Sequence, residues 1–169
     1  MVEGALTHAD SMGNSAVLHA GEVQRMSAGS GIVHSEINQT GAPCRLLQIW
    51  IEPAQLGIQP AYEQKPFAIG EGWTPLIEPG ASGEAMAIER RVRLWRAQPQ
   101  RQQPLPLPDA EEQLLWIQVI DGELTLNSEG SPQQSLRRGD GVGLIQEAAT
   151  QGELIGLSER ADVLLFALA

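Results

Sequence analysis

Hydrophobic and polar residues alternate in short runs along most of this 169-residue chain. The runs alternate or are rich in β-branched and aromatic residues, and they cover residues 5–8, 15–18, 45–51, 91–96, 114–120 and 163–166. A period of two places successive side chains on opposite faces, which is typical of half-buried strands. No window of about a dozen residues holds the 3.6-residue period of a helix. The pattern predicts an all-β protein, a sandwich or a barrel.

The chain also repeats itself at a constant offset of 118 positions. Residues 2–7 (VEGALT) lie over residues 120–125 (IDGELT) at this offset. The register continues without a gap through three pairs of identical residues: Leu18 and Leu136, Gly21 and Gly139, Leu46 and Leu164. We therefore expect two tandem copies of one β unit, in residues 1–67 and 68–169, with these leucines, Leu6 and Leu124 facing the two interiors.

The first copy is shorter than the second. Strand-like residues from about 86 to 116 precede the repeated part of copy two, and their counterparts at the same offset fall before residue 1. Copy one keeps about four strands, whereas a small closed barrel uses about eight. We expect an incomplete N-terminal barrel whose unpaired edge self-associates, most simply as a homodimer.

Two further segments connect strands in this interpretation. Residues 70–83 are expected to link the two lobes, and the Pro- and Gln-rich residues 98–109 to form a loop within copy two. The arginines at positions 90, 91, 93 and 96 are expected on the solvated face of a strand.

Charge and composition narrow the classes of function. The chain has 11 Lys and Arg against 21 Asp and Glu, a formal net charge of −10, which disfavours direct binding to nucleic acid or to an anionic membrane. Its single cysteine, Cys44, cannot form an intrachain disulfide. No apolar stretch is long enough for a membrane span, and the first residues lack a signal-peptide pattern. We expect a cytoplasmic protein.

Four segments together resemble the pirin family of bicupins. They are residues 3–14 (EGALTHADSMGN), 20–36 (AGEVQRMSAGSGIVHSE), 48–51 (QIWI) and 62–64 (YEQ). The resemblance implies two stacked cupin β-barrels with one metal ion in the N-terminal barrel. It also implies one of two kinds of function. Bacterial members resemble quercetin 2,3-dioxygenases, and the animal member resembles an iron-dependent transcriptional cofactor.

The resemblance further implies a divalent metal, iron or a similar ion, held by three His and one Glu. In the family a His-x-His pair precedes a His-x-Glu pair, and His34 and Glu36 match the second pair. Residues i and i+2 of a strand share a face, so both can reach one ion. Glu36 is also the candidate catalytic residue, as a ligand and possible base. In relatives the first pair precedes the segment that matches Val2.

The other two histidines are His8 and His19. Since Leu18 is expected to face inward, its neighbour His19 should face solvent. His8 shares a face with Leu6, but its equivalent in the family is not a ligand, so we expect it to be a packed or exposed residue. Copy two has Gly152 and Leu154 at the positions of His34 and Glu36, which predicts no metal site there.

Two classes of function remain open. With two of four expected ligands, the sequence favours a pirin-like protein whose metal site is impaired or absent and which serves as a binding or assembly module. The alternative is a metal-dependent oxygenase of the quercetin 2,3-dioxygenase type. Its ligand would be a small flavonol-like aromatic, and the missing metal ligands would come from upstream or from a partner chain.

Overall fold

The computed structural model describes residues 1–81, 83–110, 114–145 and 152–169. These residues form fifteen strands and no helix, which confirms the all-β prediction. None of the described residues therefore lies in a helix long and apolar enough to cross a membrane. The chain divides into two compact units, Met1–Ala68 and Ile69–Ala169.

Unit 1 contains five strands in two small antiparallel sheets. They are β1 (Ala5–Asp10), β2 (Ser15–His19), β3 (Glu22–Ser27), β4 (His34–Ile37) and β5 (Ala61–Pro66). One sheet has the order β2-β1-β4, and the other pairs β3 with β5. Leu6 of β1 lies opposite Leu18 of β2, and both side chains are buried. This pair anchors the hairpin from which the candidate site is built.

Unit 2 contains ten strands. They are β6 (Thr74–Pro79), β7 (Met86–Ile88), β8 (Val92–Ala97), β9 (Pro104–Pro106), β10 (Leu114–Asp121), β11 (Glu123–Ser128), β12 (Gln134–Arg137), β13 (Gly141–Ile145), β14 (Gly152–Gly156) and β15 (Asp162–Leu168). A six-stranded sheet has the order β13-β10-β15-β8-β6-β7, and a four-stranded sheet the order β12-β11-β14-β9. Inward-facing Leu, Ile and Val side chains from both sheets form one hydrophobic core.

The strand registers confirm the internal repeat. Leu6 pairs with Leu18 in unit 1, and Leu124 pairs with Leu136 in unit 2, at the predicted offset. The other neighbour of the central strand repeats as well, because β1 pairs with β4 as β11 pairs with β14. Of the six leucines expected to face inward, Leu46 is half-buried and the others are buried.

Both copies of the repeat have a glycine at the equivalent position before the central strand. Gly4 and Gly122 each precede the central strand of their unit and have positive φ values of 72° and 77°. A Cβ on Gly4 would lie 2.7 Å from the Pro43 carbonyl oxygen, and one on Gly122 would overlap the Arg160 carbonyl oxygen. Both the left-handed backbone and the close approach exclude a side chain.

Three predicted elements are wrong. The expected loop at residues 98–109 contains strand β9, which pairs with β14. Residues 45–51 form no strand beyond an isolated bridge between Glu3 and Arg45. Their counterpart β15 is paired on both sides, with β8 and β10, and residues 45–51 lack two such partners. The predicted connection at residues 70–83 contains strand β6, which pairs with β8 and buries Leu76 and Ile77.

The expected solvated arginine face is wrong for one residue. Arg96 is buried, and its guanidinium donates from Nε and Nη2 to the two carboxylate oxygens of Asp162, at 2.8 and 2.6 Å. A buried bidentate pair of this kind compensates the desolvation of both charges. Arg91 is exposed, and Arg90 and Arg93 are half-buried.

Replacing glycine by alanine is expected to reduce stability by different amounts at Gly130 and Gly122. Gly130 has a φ of 75°, but a Cβ there would meet nothing within 4 Å. We expect Gly130→Ala to lower the free energy of unfolding by about 1–2 kcal/mol, the cost of left-handed backbone. Gly122→Ala adds a steric overlap worth about 1–3 kcal/mol more. Urea denaturation of both variants measures the difference, and equal midpoints would contradict the close approach at Gly122.

Candidate metal centre

The β1–β4 pair brings four ionisable side chains to one face of unit 1. His8 lies opposite Glu36, and Asp10 lies opposite His34, in antiparallel register. His8 and Asp10 are two residues apart on β1, as are His34 and Glu36 on β4, so all four share a face. Backbone pairing continues beyond Asp10 and His34, because the Ser11 N–H donates to the Val33 carbonyl oxygen at 2.8 Å. The predicted common face of His34 and Glu36 is therefore present.

Three of these residues form a compact group of metal-ligating atoms. One ligand atom each from His8, His34 and Glu36 lies within 4.8 Å of the other two. His8 is completely buried, His34 is exposed, and the Glu36 side chain is 23% exposed. The group is thus held on its inner side by His8 and is open to solvent on the His34 side.

The two ring nitrogens of His8 have different surroundings. Nε2 lies 3.2 Å from Oδ2 of Asp10. Nδ1 is buried without a hydrogen-bond partner and lies 3.9 Å from Oε1 of Glu36. The ring also stacks on Tyr62, with centroids 4.5 Å apart and planes inclined by 15°. Asp10 therefore holds the Nε2 edge of the imidazole and Tyr62 covers one face of the ring, while Nδ1 is available to another partner.

The protonation state of Asp10 determines which ring nitrogen carries the proton. Burial alone raises the pKa of this carboxyl, but hydrogen bonds from the Asn14 side chain, His8 and the backbone N–H groups of Asn14 and Met12 outweigh it and lower the pKa to about 2. Because an ionised carboxylate only accepts hydrogen bonds, Nε2 of His8 donates to it. In the neutral imidazole the lone pair then lies on Nδ1, which faces Glu36.

Glu36 has its own supporting contacts. The side-chain amide of Gln24 donates to Oε1 at 2.7 Å. The Tyr62 hydroxyl contacts Oε1 of Gln24 at 3.2 Å. Burial, followed by the negative charges of Asp10, Glu36 and Glu22, raises the pKa of Tyr62. Tyr62 therefore remains a hydroxyl donor at neutral pH.

The chemistry of this donor set fits a divalent transition metal. Two imidazoles and one carboxylate are the ligands of the two-His, one-carboxylate sites, which leave coordination positions open. The partnerless Nδ1 of a buried histidine, with a carboxylate hydrogen-bonded to the other nitrogen, is the arrangement in which histidine ligates metals. His8, His34 and Glu36 are thus able to hold an ion.

The position of His8 differs from the sequence-based expectation. His8 was expected to be a packed or exposed residue and not a ligand. The structure buries it and places it in one group of potential metal-ligating atoms with His34 and Glu36. Its proximity to Glu36 depends on the β1–β4 pairing, which the sequence does not state. The repeat did contain a signal, since His8 occupies the position of the core residue Leu126. His19 is exposed, as predicted.

Unit 2 carries no such group at the equivalent positions. Leu126 and Leu154 replace His8 and Glu36 in the same register and belong to the hydrophobic core. Ser128 and Gly152 replace Asp10 and His34. Among the described residues, the His and Glu group of unit 1 is the one cluster able to hold an ion.

Replacing Asp10 is expected to release the His8 tautomer. In the wild-type chain the Nε2–H form should dominate, because the Asp10 carboxylate accepts that proton. Asp10→Ala removes the acceptor, so the Nδ1–H form should become populated. Nitrogen-15 NMR of the imidazole side chains of the metal-free protein measures the two forms. The exposed His19 serves as internal control, and an unchanged His8 spectrum would contradict the assigned role of Asp10.

Family models match both parts of the chain. Residues 1–51 match the pirin family, and residues 76–168 match the quercetinase C-terminal cupin domain. A protein of Pasteurella multocida, provisionally named a quercetin 2,3-dioxygenase, is 39% identical over 171 residues. A quercetin 2,3-dioxygenase of Escherichia coli K12 is 35% identical over 169 residues. Each alignment covers 99% of this chain and 70% of the relative.

Solved structures agree with these matches. The crystal structure of YhhW from Escherichia coli has a TM-score of 0.86 at 35% identity. A structure of the bacterial pirin YhhW in complex with nickel(II) has a TM-score of 0.81 at 33% identity. Both comparisons cover 99% of this chain and 69% of the solved chain. The fold, the two family matches and the relatives together show that this chain belongs to the pirin family of cupin proteins.

Proposed function

We propose that this chain binds one divalent transition metal through His8, His34 and Glu36 and uses it in an oxygenase reaction of the quercetin 2,3-dioxygenase type. The observation that carries the proposal is the convergence of these three side chains, with ligand atoms within 4.8 Å of one another. Membership of the pirin family supports a metal at His34 and Glu36, relatives named quercetin 2,3-dioxygenase support the reaction, and the geometry supports His8. The proposed substrate is a small flavonol-like aromatic, and the proposed location is the cytoplasm.

Each residue of the site has a distinct role in this proposal. Asp10 orients His8, and the buried His8 presents Nδ1 to the ion. His34 is exposed and would be the solvent-facing ligand of the ion. Glu36 is a ligand and can accept the proton of a substrate hydroxyl at a carboxylate oxygen. A bound ion would supply Lewis-acid polarisation of that hydroxyl and the redox chemistry that O₂ activation requires.

Three protein ligands leave room for others. Divalent transition metals prefer four to six ligands, so substrate, water or further side chains complete the shell. The family pattern includes a second pair of histidines. In this proposal an upstream segment or a second copy of the chain can provide them, and His8 holds the ion alongside His34 and Glu36.

Metal analysis of the purified chain tests the proposal. After loading with Fe(II), Ni(II) or Co(II) and desalting, the wild-type chain should retain about one equivalent. His34→Ala and His8→Ala should each weaken binding by at least about tenfold, because each removes a ligand. His19→Ala is the matched control, since His19 is exposed and outside the group. Equal retention by the wild type and His34→Ala would contradict the proposed site.

An assay of O₂ consumption distinguishes metal binding from catalysis. The metal-loaded chain should consume O₂ in the presence of quercetin, and the metal-stripped or His34→Ala protein should not. A chain that holds one equivalent of metal but consumes no O₂ with this or related flavonols would retain the metal-binding half of the proposal and refute the oxygenase half.

The second candidate function is assembly through unit 1. Its specific support is a set of large apolar side chains that unit 1 leaves in solvent: Val17, Val33, Ile37, Leu47, Ile49, Trp50 and Leu56. Trp50 is 88% exposed and lies in residues 45–51, which have strand-like sequence but no strand. We propose that this segment pairs with a second copy of the chain, as sequences of this kind do when a strand edge is available.

Size-exclusion chromatography with light scattering tests self-association. At micromolar concentration the wild-type chain should have about twice the 18.2 kDa mass of one chain. Trp50→Ser should shift the equilibrium towards the monomer, because it removes the most exposed apolar side chain of the segment. Leu56→Ser is the control, since Leu56 is 91% exposed but lies outside residues 45–51. A folded wild-type monomer throughout a dilution series would contradict assembly.

A further inference from the structure

A hydrogen-bonded network of polar side chains extends from the β3–β5 sheet to the Glu36 carboxylate. Gln24 of β3 pairs with Gln64 of β5, and Met26 pairs with Tyr62. The Tyr62 hydroxyl contacts Oε1 of both glutamines, at 3.2 Å for Gln24 and 2.9 Å for Gln64. Gln24 then contacts Oε1 of Glu36 at 2.7 Å. This hydrogen-bonded network therefore ends at Glu36, a proposed metal ligand.

The orientation of both amides is determined by their partners. A carboxylate oxygen only accepts, so Gln24 must turn its NH₂ group to Glu36 and its Oε1 to the Tyr62 hydroxyl. Gln64 likewise turns its NH₂ group to the Val17 carbonyl oxygen and to Glu22, and its Oε1 to Tyr62. The Tyr62 hydroxyl has one hydrogen, which the two amide oxygens share, whereas the NH₂ group of each amide has its own acceptors. These contacts restrict the rotation of Gln24.

The charge of the donor matters for a cation site. Within the described residues, Gln24 is the hydrogen-bond donor to the Glu36 carboxylate. A lysine or arginine at this position would orient the carboxylate as well, but its positive charge would compete with a metal ion for the same oxygens. A neutral amide orients the carboxylate and leaves its full negative charge for the ion.

Tyr62 supports a second ligand at the same time. Its ring stacks on His8, with centroids 4.5 Å apart, while its hydroxyl contacts Gln24. One side chain of β5 thus touches His8 directly and Glu36 through one amide. The β3–β5 sheet thereby fixes the positions of two of the three proposed ligands.

We propose that Gln24 is a positioning residue that sets the metal affinity of this site by holding the Glu36 carboxylate in its ligating orientation, with Tyr62 holding Gln24. The inference rests on the proposed metal-binding function. Gln24 does not itself ligate the ion. Its effect reaches the ion through Glu36, in the way that hydrogen-bond partners of ligands tune other metal sites.

The chain offers a matched pair of substitutions for the test. Gln24→Met and Gln64→Met remove the same amide from facing positions of the same sheet, and both remove a contact with Tyr62. Gln24 contacts Glu36, whereas the Gln64 amide is directed to Val17 and Glu22. Tyr62→Phe is a third variant, which keeps a ring on His8 and removes the hydroxyl that holds Gln24.

The measurement is Co(II) affinity of the full chain by competition with a chelating dye, together with the visible spectrum of the Co(II) protein. Gln24→Met should lower the affinity about 10- to 100-fold and change the Co(II) spectrum, because Glu36 loses its fixed orientation. Gln64→Met should remain within about threefold of the wild type with an unchanged spectrum. Tyr62→Phe should show a smaller loss than Gln24→Met in the same direction.

The outcomes separate this inference from the proposed function. If the wild type binds Co(II) and His34→Ala does not, but Gln24→Met binds as the wild type does, the metal site stands and the role of Gln24 is refuted. If Gln64→Met loses as much affinity as Gln24→Met, a general effect on the sheet explains both and the inference is again refuted. A wild-type chain without Co(II) affinity refutes the metal site and the inference together. Circular dichroism and thermal melting of the metal-free variants identify any that fail to fold, in which case Tyr62→Phe decides.

Discussion

The antiparallel register of β1 against β4 is the constraint on which the candidate site depends. Directly opposed side chains of such a pair stand about 5 Å apart, and this spacing brings His8 to Glu36 and Asp10 to His34. A shift of one residue would turn the side chains of one strand to the other face and disperse the group. On the other side of β1, the buried pair of Leu6 and Leu18 determines which face of β1 points inward, and His8 lies on that face. Hydrophobic packing of the hairpin therefore orients His8, and the pairing with β4 brings Glu36 to it.

Asp10 links the turn to the site. Its carboxylate accepts hydrogen bonds from the backbone N–H groups of Met12 and Asn14, which close the turn between β1 and β2, and from the Asn14 side chain. The same carboxylate accepts from His8. A single side chain thus determines both the end of the hairpin and the tautomer of the buried imidazole. This sharing explains why local turn chemistry and site chemistry occur together in one short segment.

The sequence predicted the parts of the fold that local patterns determine. Period-two alternation located β1, β2, β8, β10 and β15, because it depends on residues that are adjacent in the sequence. The repeated segments that contain Gly4 and Gly122 located the start of the central strand in both units. The failures involve partners that are distant in sequence. Residues 45–51 have a strand-like pattern but too few neighbours to pair with, and Arg96 is buried only because Asp162, 66 residues away, compensates its charge.

His8 shows the same limit within the site. Taken alone, a histidine on the face of Leu6 is expected to be a packed or exposed residue, and the structure shows that it is buried. Its second property, proximity to Glu36, arises from the pairing of strands that are separated by the whole of β2 and β3. The repeat held the missing information in an indirect form, because Leu126 and Leu154, the counterparts of His8 and Glu36, are also paired.

The comparison of the two units also indicates how the site affects stability. Where unit 2 packs Leu126 against Leu154, unit 1 buries an imidazole whose Nδ1 has no partner, at a cost of about 1–3 kcal/mol. Unit 1 has little apolar burial to offset this cost, since its buried hydrophobic residues are Ala5, Leu6 and Leu18. A ligand that binds the folded state alone stabilises it by mass action, and metals contribute to folding in this way. An ion on Nδ1 would thus replace the missing partner and also join β1 to β4, the two strands whose register creates its site.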